Sequence, residues 1–102
     1  MYNVHMKIRF VWDEQKALEN LKKHRVSFEE AKSIFLNFPL EVFFDPEHSH
    51  KEDRYIAFGF SNAERILLVV HMENSKGNEI RIISARKATK EESTTVFGGK
   101  KK

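Results

Sequence analysis

Between Lys7 and Trp12 apolar and polar positions alternate, with Ile8, Phe10 and Trp12 on one side and Lys7, Arg9 and Val11 on the other. This period of two predicts a short strand with one buried face. The period then lengthens. Asp13 is placed to cap a helix and Glu14 puts negative charge in its first turn. Ala17, Leu18 and Leu21 form the apolar stripe of that helix, which is expected to end near His24-Arg25. Ser27-Phe28-Glu29-Glu30 has capping-box spacing, with Glu30 expected to reach back to Ser27. Phe28, Ala31, Ile34, Phe35 and Phe38 recur at helical spacing, so a second helix is predicted to about Asn37, closed by Pro39.

Strand signals follow. Leu40 to Phe44 is apolar and short, Asp45-Pro46 is a turn signal, and His48 to Asp53 is a polar loop. Arg54 to Phe60 alternates with Ile56, Phe58 and Phe60 on one face. Arg65 to Met72 contains the unbroken run Ile66 to Val70, which suits a central strand covered on both faces. In Glu79 to Lys87 the alternation puts Ile80, Ile82 and Ser84 on one face and Arg81, Ile83 and Ala85 on the other. Thr89-Lys90-Glu91-Glu92 repeats the capping-box pattern and starts a short last helix that Val96 and Phe97 would pack down. The order is β-α-α-β-β-β-β-α. Strands joined by short loops pair antiparallel. The expected class is therefore α+β, an antiparallel sheet with two N-terminal helices on one face and a short C-terminal helix.

With 102 residues, the chain holds one core, expected over residues 1–97, followed by a Gly/Lys tail at 98–102. Nine phenylalanines argue for a packed interior against disorder. The absence of cysteine excludes disulfides and thiolate metal sites and fits a reducing compartment. No apolar run approaches the roughly 20 residues of a membrane span. Residues 1–6 lack the apolar core of a signal peptide, so a cytoplasmic location without membrane attachment is expected. Met6 is an alternative natural start. Net charge is +3 and falls to zero without Lys100, Lys101 and Lys102. Overall charge therefore says little about partners, and local clusters must carry any functional argument.

Two segments carry most of the candidate chemistry. His48-Ser49-His50-Lys51-Glu52-Asp53-Arg54 crowds imidazoles, carboxylates and cations between apolar runs, and Arg81 to Lys87 puts cations on a core-like strand. Lys23 and His24 join them from the end of the first helix, where they either complement the helix dipole or face a phosphate. Arg86, on the same side as Ile80 and Ile82 by simple alternation, is costly there without a partner. That partner is either a carboxylate such as Glu52, Asp53 or Glu91, or a phosphate held by the guanidinium fork. The spacing of His48 and His50 is compatible with zinc, but no second ligand pair is placed distinctively, so no metal is expected. Nor is a nucleotide cofactor, since the glycines form neither a GxGxxG nor a P-loop.

Taken together, Phe10-Val11-Trp12-Asp13, Asn20 to His24, Val26 to Ala31, Asp45 with His48-Ser49, Glu52 to Arg54 and Ile80 to Thr89 resemble the BrnT family, the toxin half of BrnT–BrnA toxin–antitoxin pairs. The resemblance implies a RelE-like fold, endoribonuclease activity that inhibits translation, a BrnA-like antitoxin, and operator DNA bound through that antitoxin. It carries over Lys23, Arg54 and Arg86 as active-site positions. With His24 and Glu52 as proton carriers they make the expected catalytic set, for metal-free attack of the RNA 2′-hydroxyl on the adjacent phosphate. Arg81, Lys87, His48 and His50 are the expected RNA-binding set. Arg25 departs from the family, which usually has Gly after Lys-His. The competing class is a non-catalytic subunit of a DNA-binding repressor complex.

Overall fold

The computed structural model describes residues 7–48 and 52–98. The expectations for residues 1–6, His50 and the terminal lysines lie outside these residues, as does the side chain of His48. Five strands form a single sheet in the order β1-β5-β4-β3-β2: β1 (Arg9–Val11), β2 (Leu40–Phe44), β3 (Arg54–Phe60), β4 (Ile66–Glu73) and β5 (Glu79–Lys87). Helices α1 (Glu14–His24) and α2 (Phe28–Ser33) lie between β1 and β2, and α3 (Lys90–Phe97) follows β5.

Strands β2 to β5 are an antiparallel meander, but β1 pairs parallel with β5, Phe10 opposite Ile80. The sheet is therefore mixed rather than purely antiparallel. Between β1 and β5 the chain runs through α1, α2 and strands β2 to β4, a connection long enough for a parallel pair, which a short loop would not permit.

The predicted caps form at three helix starts. The Asp13 carboxylate accepts from the Gln15 and Lys16 N–H groups, Ser27 Oγ accepts from the Glu30 N–H, and Thr89 and Glu92 form a reciprocal capping box. Glu30 does not reach back to Ser27, because a stronger partner takes its carboxylate, the Arg65 guanidinium. The second helix also stops sooner than its periodicity suggests: after Ser33 the chain tightens into a 3-10 turn at Ile34–Leu36.

Val26, Phe28, Ala31, Ile34 and Phe35 pack onto Ala57, Leu67, Val69, Ile80, Ile82 and Ala85, and Ile8, Phe10 and Trp12 close the β1 side. The rings of Trp12 and Phe28 meet edge-on, 5.9 Å apart. Gly59 lets α2 approach this closely, since a Cβ there would stand 3.0 Å from Ile34 Cβ.

Helix α1 packs differently from its sequence pattern. Leu18 and Leu21 are 60% and 44% exposed. The stripe that faces the sheet is Ala17, Asn20 and His24. Asn20 is buried and bridges three backbone groups. Its amide donates to Val26 O (2.9 Å) and Ala85 O (2.8 Å), and its oxygen accepts from the Ala85 N–H at 3.1 Å. Strand β1 ends opposite Arg81. Asn20 thus satisfies the part of the β5 edge that β1 leaves open, a polar contact that outweighs the leucines because buried backbone groups must be paired.

Candidate active-site face

A bulge decides which side chains of β5 share a face. Val70 stands opposite Ser84 and His71 opposite Ile82, leaving Ile83 as an extra residue. Simple alternation groups Arg86 with Ile80 and Ile82. The bulge instead moves Ala85 onto the core side and puts Ser84 and Arg86 on the same face as Arg81. This relieves the cost that a core-facing arginine would carry. The same face holds Arg54, Ile56, Phe58 and Phe60 of β3 and Leu68, Val70 and Met72 of β4, as the register requires. It lies opposite α1 and α2. Helix α3 covers only one end of it, where Phe97 packs on Phe60 at 5.5 Å.

The candidate residues frame this face rather than gather at one point. Arg54, Met72 and Arg81 form one cross-strand row, and Phe58, Leu68 and Arg86 form another, four residues along β3. Arg54 and Arg86 are two strands apart, so strand spacings put their α-carbons about 16 Å from each other. Lys23 and His24 stand on the β5 edge between the two rows. With Lys16, Glu19, Asn20, Ile83 and Ser84 they line a depression of about 200 Å³.

The end of α1 that carries these two residues is held from behind. Arg25 closes the helix in the left-handed conformation, φ 60° and ψ 33°, and its N–H donates to Leu21 O. Arg65 grips the Glu30 carboxylate through Nε (2.9 Å) and Nη2, and Nη2 also donates to Arg25 O at 3.1 Å. Ser61 Oγ donates to the same carboxylate at 2.7 Å. The Arg65 bonds hold the Glu30 acid below its usual range, with a smaller contribution from Ser61 against burial. A brace from the β3–β4 hairpin thus fixes the carbonyl that ends α1, and with Asn20 it holds in place the helix end that carries Lys23 and His24.

Arg86 has a carboxylate partner, and it is Glu92 of α3 rather than Glu52, Asp53 or Glu91. Nη1 and Nη2 donate to the two Glu92 oxygens at 3.0 and 2.9 Å, and Nη1 also donates to Lys87 O at 3.2 Å. This bidentate pair holds the Glu92 acid at about 2, helped by the Thr89 N–H. Glu92 engages the end of the guanidinium and leaves the Nε edge for another acceptor.

Glu52 reaches Arg81 at 3.9 Å, with both side chains 52% exposed, a contact that contributes little by itself. Around them a cleft of about 270 Å³ is also lined by Asp53, Glu73 and Glu79. Four carboxylates against one guanidinium make this end of the face unfavourable for a phosphate. The Lys23–His24 depression has two lysines and an imidazole against Glu19 alone. Lys87 is exposed at the end of β5. Among the described residues, no group of three or more His, Asp or Glu side chains could hold a metal ion. Asn20, Arg65, Glu30 and Glu92 were not singled out by sequence reasoning as supports for these groups. Only Asn20 left a trace, a poor helix former three residues after Ala17 on the packing stripe.

The class is an α+β domain whose mixed five-stranded sheet is open on one face, and comparison with known proteins gives its family. The sequence model described as ribonuclease toxin, BrnT, of type II toxin–antitoxin system matches residues 12–92. The chain belongs to this BrnT family of ribonuclease toxins. It is also similar to the crystal structure of the Brucella abortus ribonuclease toxin BrnT, at 29% identity and a TM-score of 0.58, covering 83% of this chain and 99% of that one. No curated protein matches it. No helix among the described residues is long and apolar enough to cross a membrane.

Proposed function

We propose that the chain is a metal-independent endoribonuclease of RelE-like architecture that stops translation by cutting RNA across the open sheet face. The observation that carries this reading is the grouping of Lys23, His24 and Ser84 beside the β5 bulge, on the strand that also presents Arg86. In the reaction the ribose 2′-oxygen attacks the adjacent phosphorus as the bond to the 5′-oxygen breaks. The products are a 2′,3′-cyclic phosphate and a 5′-hydroxyl. One group accepts the 2′-hydroxyl proton and another protonates the leaving oxygen. Lys23 and Arg86, the latter through its Nε edge, neutralise charge that develops on the phosphorane, a role in which preorganised cations are most effective. His24 is the better-placed proton carrier, because its imidazole shares a depression with Lys23 and Ser84 whereas Glu52 stands among other carboxylates. Lys87, His48 and His50 supply further RNA contacts, while Arg54 and Arg81, in the row beside the acid-lined cleft, lie outside the path of the phosphates.

A BrnA-like antitoxin would silence this activity, and the complex would bind operator DNA through the antitoxin. The test is cleavage of a defined RNA in EDTA with analysis of the new ends. Cyclic-phosphate and 5′-hydroxyl ends are expected. Cleavage only with added divalent metal, or 5′-phosphate products, would refute the mechanism. Expression alone separates this reading from a passive repressor subunit, which would not arrest growth.

A further inference from the structure

The far edge of the sheet from α1 has a different character from the cationic face. Among the described residues strand β2 pairs only with β3, and its residues Val42, Phe43 and Phe44 are 37%, 47% and 52% exposed. Leu36 and Phe38, in the chain leading into it, are 71% and 80% exposed. The Asp45 N–H donates to Arg54 O at 2.8 Å. By antiparallel alternation the backbone groups of Glu41 and Phe43 then turn toward β3, and those of Val42 and Phe44 turn away from it. The result is a flat aromatic edge with outward-facing amides, a template for one more strand.

Charge selects the occupant. Glu41, Asp45 and Glu47 flank the aromatic centre. A second copy pairing about Phe43 would set Glu41 opposite Asp45 at both ends, and like charges directly opposite are destabilising. RNA stacked on these rings would bring its phosphates against the same acids. An extended peptide with alternating apolar residues and basic ends meets all three features. We propose that the antitoxin of this toxin docks here, adding such a segment to β2 as a sixth strand. The proposal rests on the antitoxin partnership stated above. It leaves the cationic face uncovered by the added strand itself, so inhibition comes from the rest of the antitoxin laid across the sheet from this anchor.

The experiment uses the full chain co-expressed with the product of the neighbouring reading frame. Complex formation should slow amide hydrogen exchange at Val42 and Phe44. Val42→Pro removes an outward donor where an edge strand tolerates proline, and Phe44→Lys removes an aromatic anchor. Each should weaken the complex by about tenfold or more, while the free variants cleave RNA as wild type does. Unchanged binding by both variants, with the two amides exchanging as in the free chain, overturns the docking site and leaves the partnership intact. A wild-type chain that captures nothing overturns the partnership and the docking site together. Lost RNA cleavage with binding retained reassigns the edge to RNA. A free dimer dissociated by Val42→Pro reassigns it to a second copy. Either reassignment overturns the proposal.

Discussion

Replacing Asn20 with alanine should be among the most damaging single changes outside the apolar core. The substitution removes three hydrogen bonds, of 2.8, 2.9 and 3.1 Å. At about 1 kcal/mol net for each bond the loss is roughly 3 kcal/mol. The Ala85 N–H and C=O then face a buried gap with no neighbouring strand, and unsatisfied groups raise the loss to about 3–5 kcal/mol. At about 5 °C per kcal/mol for a domain of this size, that corresponds to a melting point lower by about 15–25 °C. Asn20→Asp sharpens the test. The acid keeps the acceptor for the Ala85 N–H but turns a carboxylate toward two carbonyl oxygens. Its folded-state pKa should rise, since protonation restores a donor. The variant should then be closest to wild type below the unfolded-state carboxylate range and lose stability as pH rises through the folded-state value. Urea unfolding followed by circular dichroism at pH 7 and pH 4 measures both effects. If Asn20→Ala lies within about 1 kcal/mol of wild type, less than the bonds alone should contribute, Asn20 does not fasten α1 to β5, and the positioning of Lys23 and His24 needs another explanation.

Arg25→Gly should stabilise the chain. A non-glycine residue at φ 60° costs about 1–2 kcal/mol, partly offset by the greater unfolded-state entropy of glycine, leaving about 0.5–1 kcal/mol in favour of the variant. The bond from Arg65 to the residue-25 carbonyl is kept, and a thermal melt reads the change. Gly59→Ala should destabilise by about 1–3 kcal/mol, because the added methyl meets Ile34 Cβ at 3.0 Å and Leu40 Cδ1 at 3.2 Å; an unchanged denaturation midpoint would contradict the close packing. Acid should unfold the protein through Glu30 and Glu92. Both acids are held below their usual 4.5, Glu92 at about 2. Their stabilisation is therefore present above about pH 4.5 and is lost as pH falls toward 2. Glu30→Gln should lower stability at pH 7 yet flatten the stability–pH curve over that window, which denaturation at stepped pH would show.

The parts of this fold legible in the sequence are those set by neighbours in the chain. Asp13, Ser27 and Thr89 announce helix starts because a cap needs only the next three residues. The β2–β5 meander follows from alternation and short loops. Three things were not legible, for one reason: each depends on a partner far along the chain. The parallel pairing of β1 with β5 is decided across everything between them, α1, α2 and strands β2 to β4. The bulge at Ile83 cannot be seen in β5 alone, because a bulge is a mismatch of two strands, and it reverses the face of every residue beyond it. Arg86 consequently stands on the opposite side from the one its spacing to Ile80 and Ile82 indicates. The competition for Glu30 between Ser27 and Arg65 is likewise settled only when the β3–β4 hairpin folds back. For the site, Lys23, His24 and Arg86 were visible as chemistry, but Asn20, Arg65 and Glu92, which hold them, were not.

The most direct test compares RNA cleavage in EDTA by wild type, Lys23→Ala and Arg86→Ala, each first shown to be folded. If these cations act on the phosphorane, each variant should lose about 10²- to 10³-fold in rate at saturating RNA. Two folded variants that both cleave at the wild-type rate would contradict the account, and the open sheet face would no longer be the place where RNA is cut.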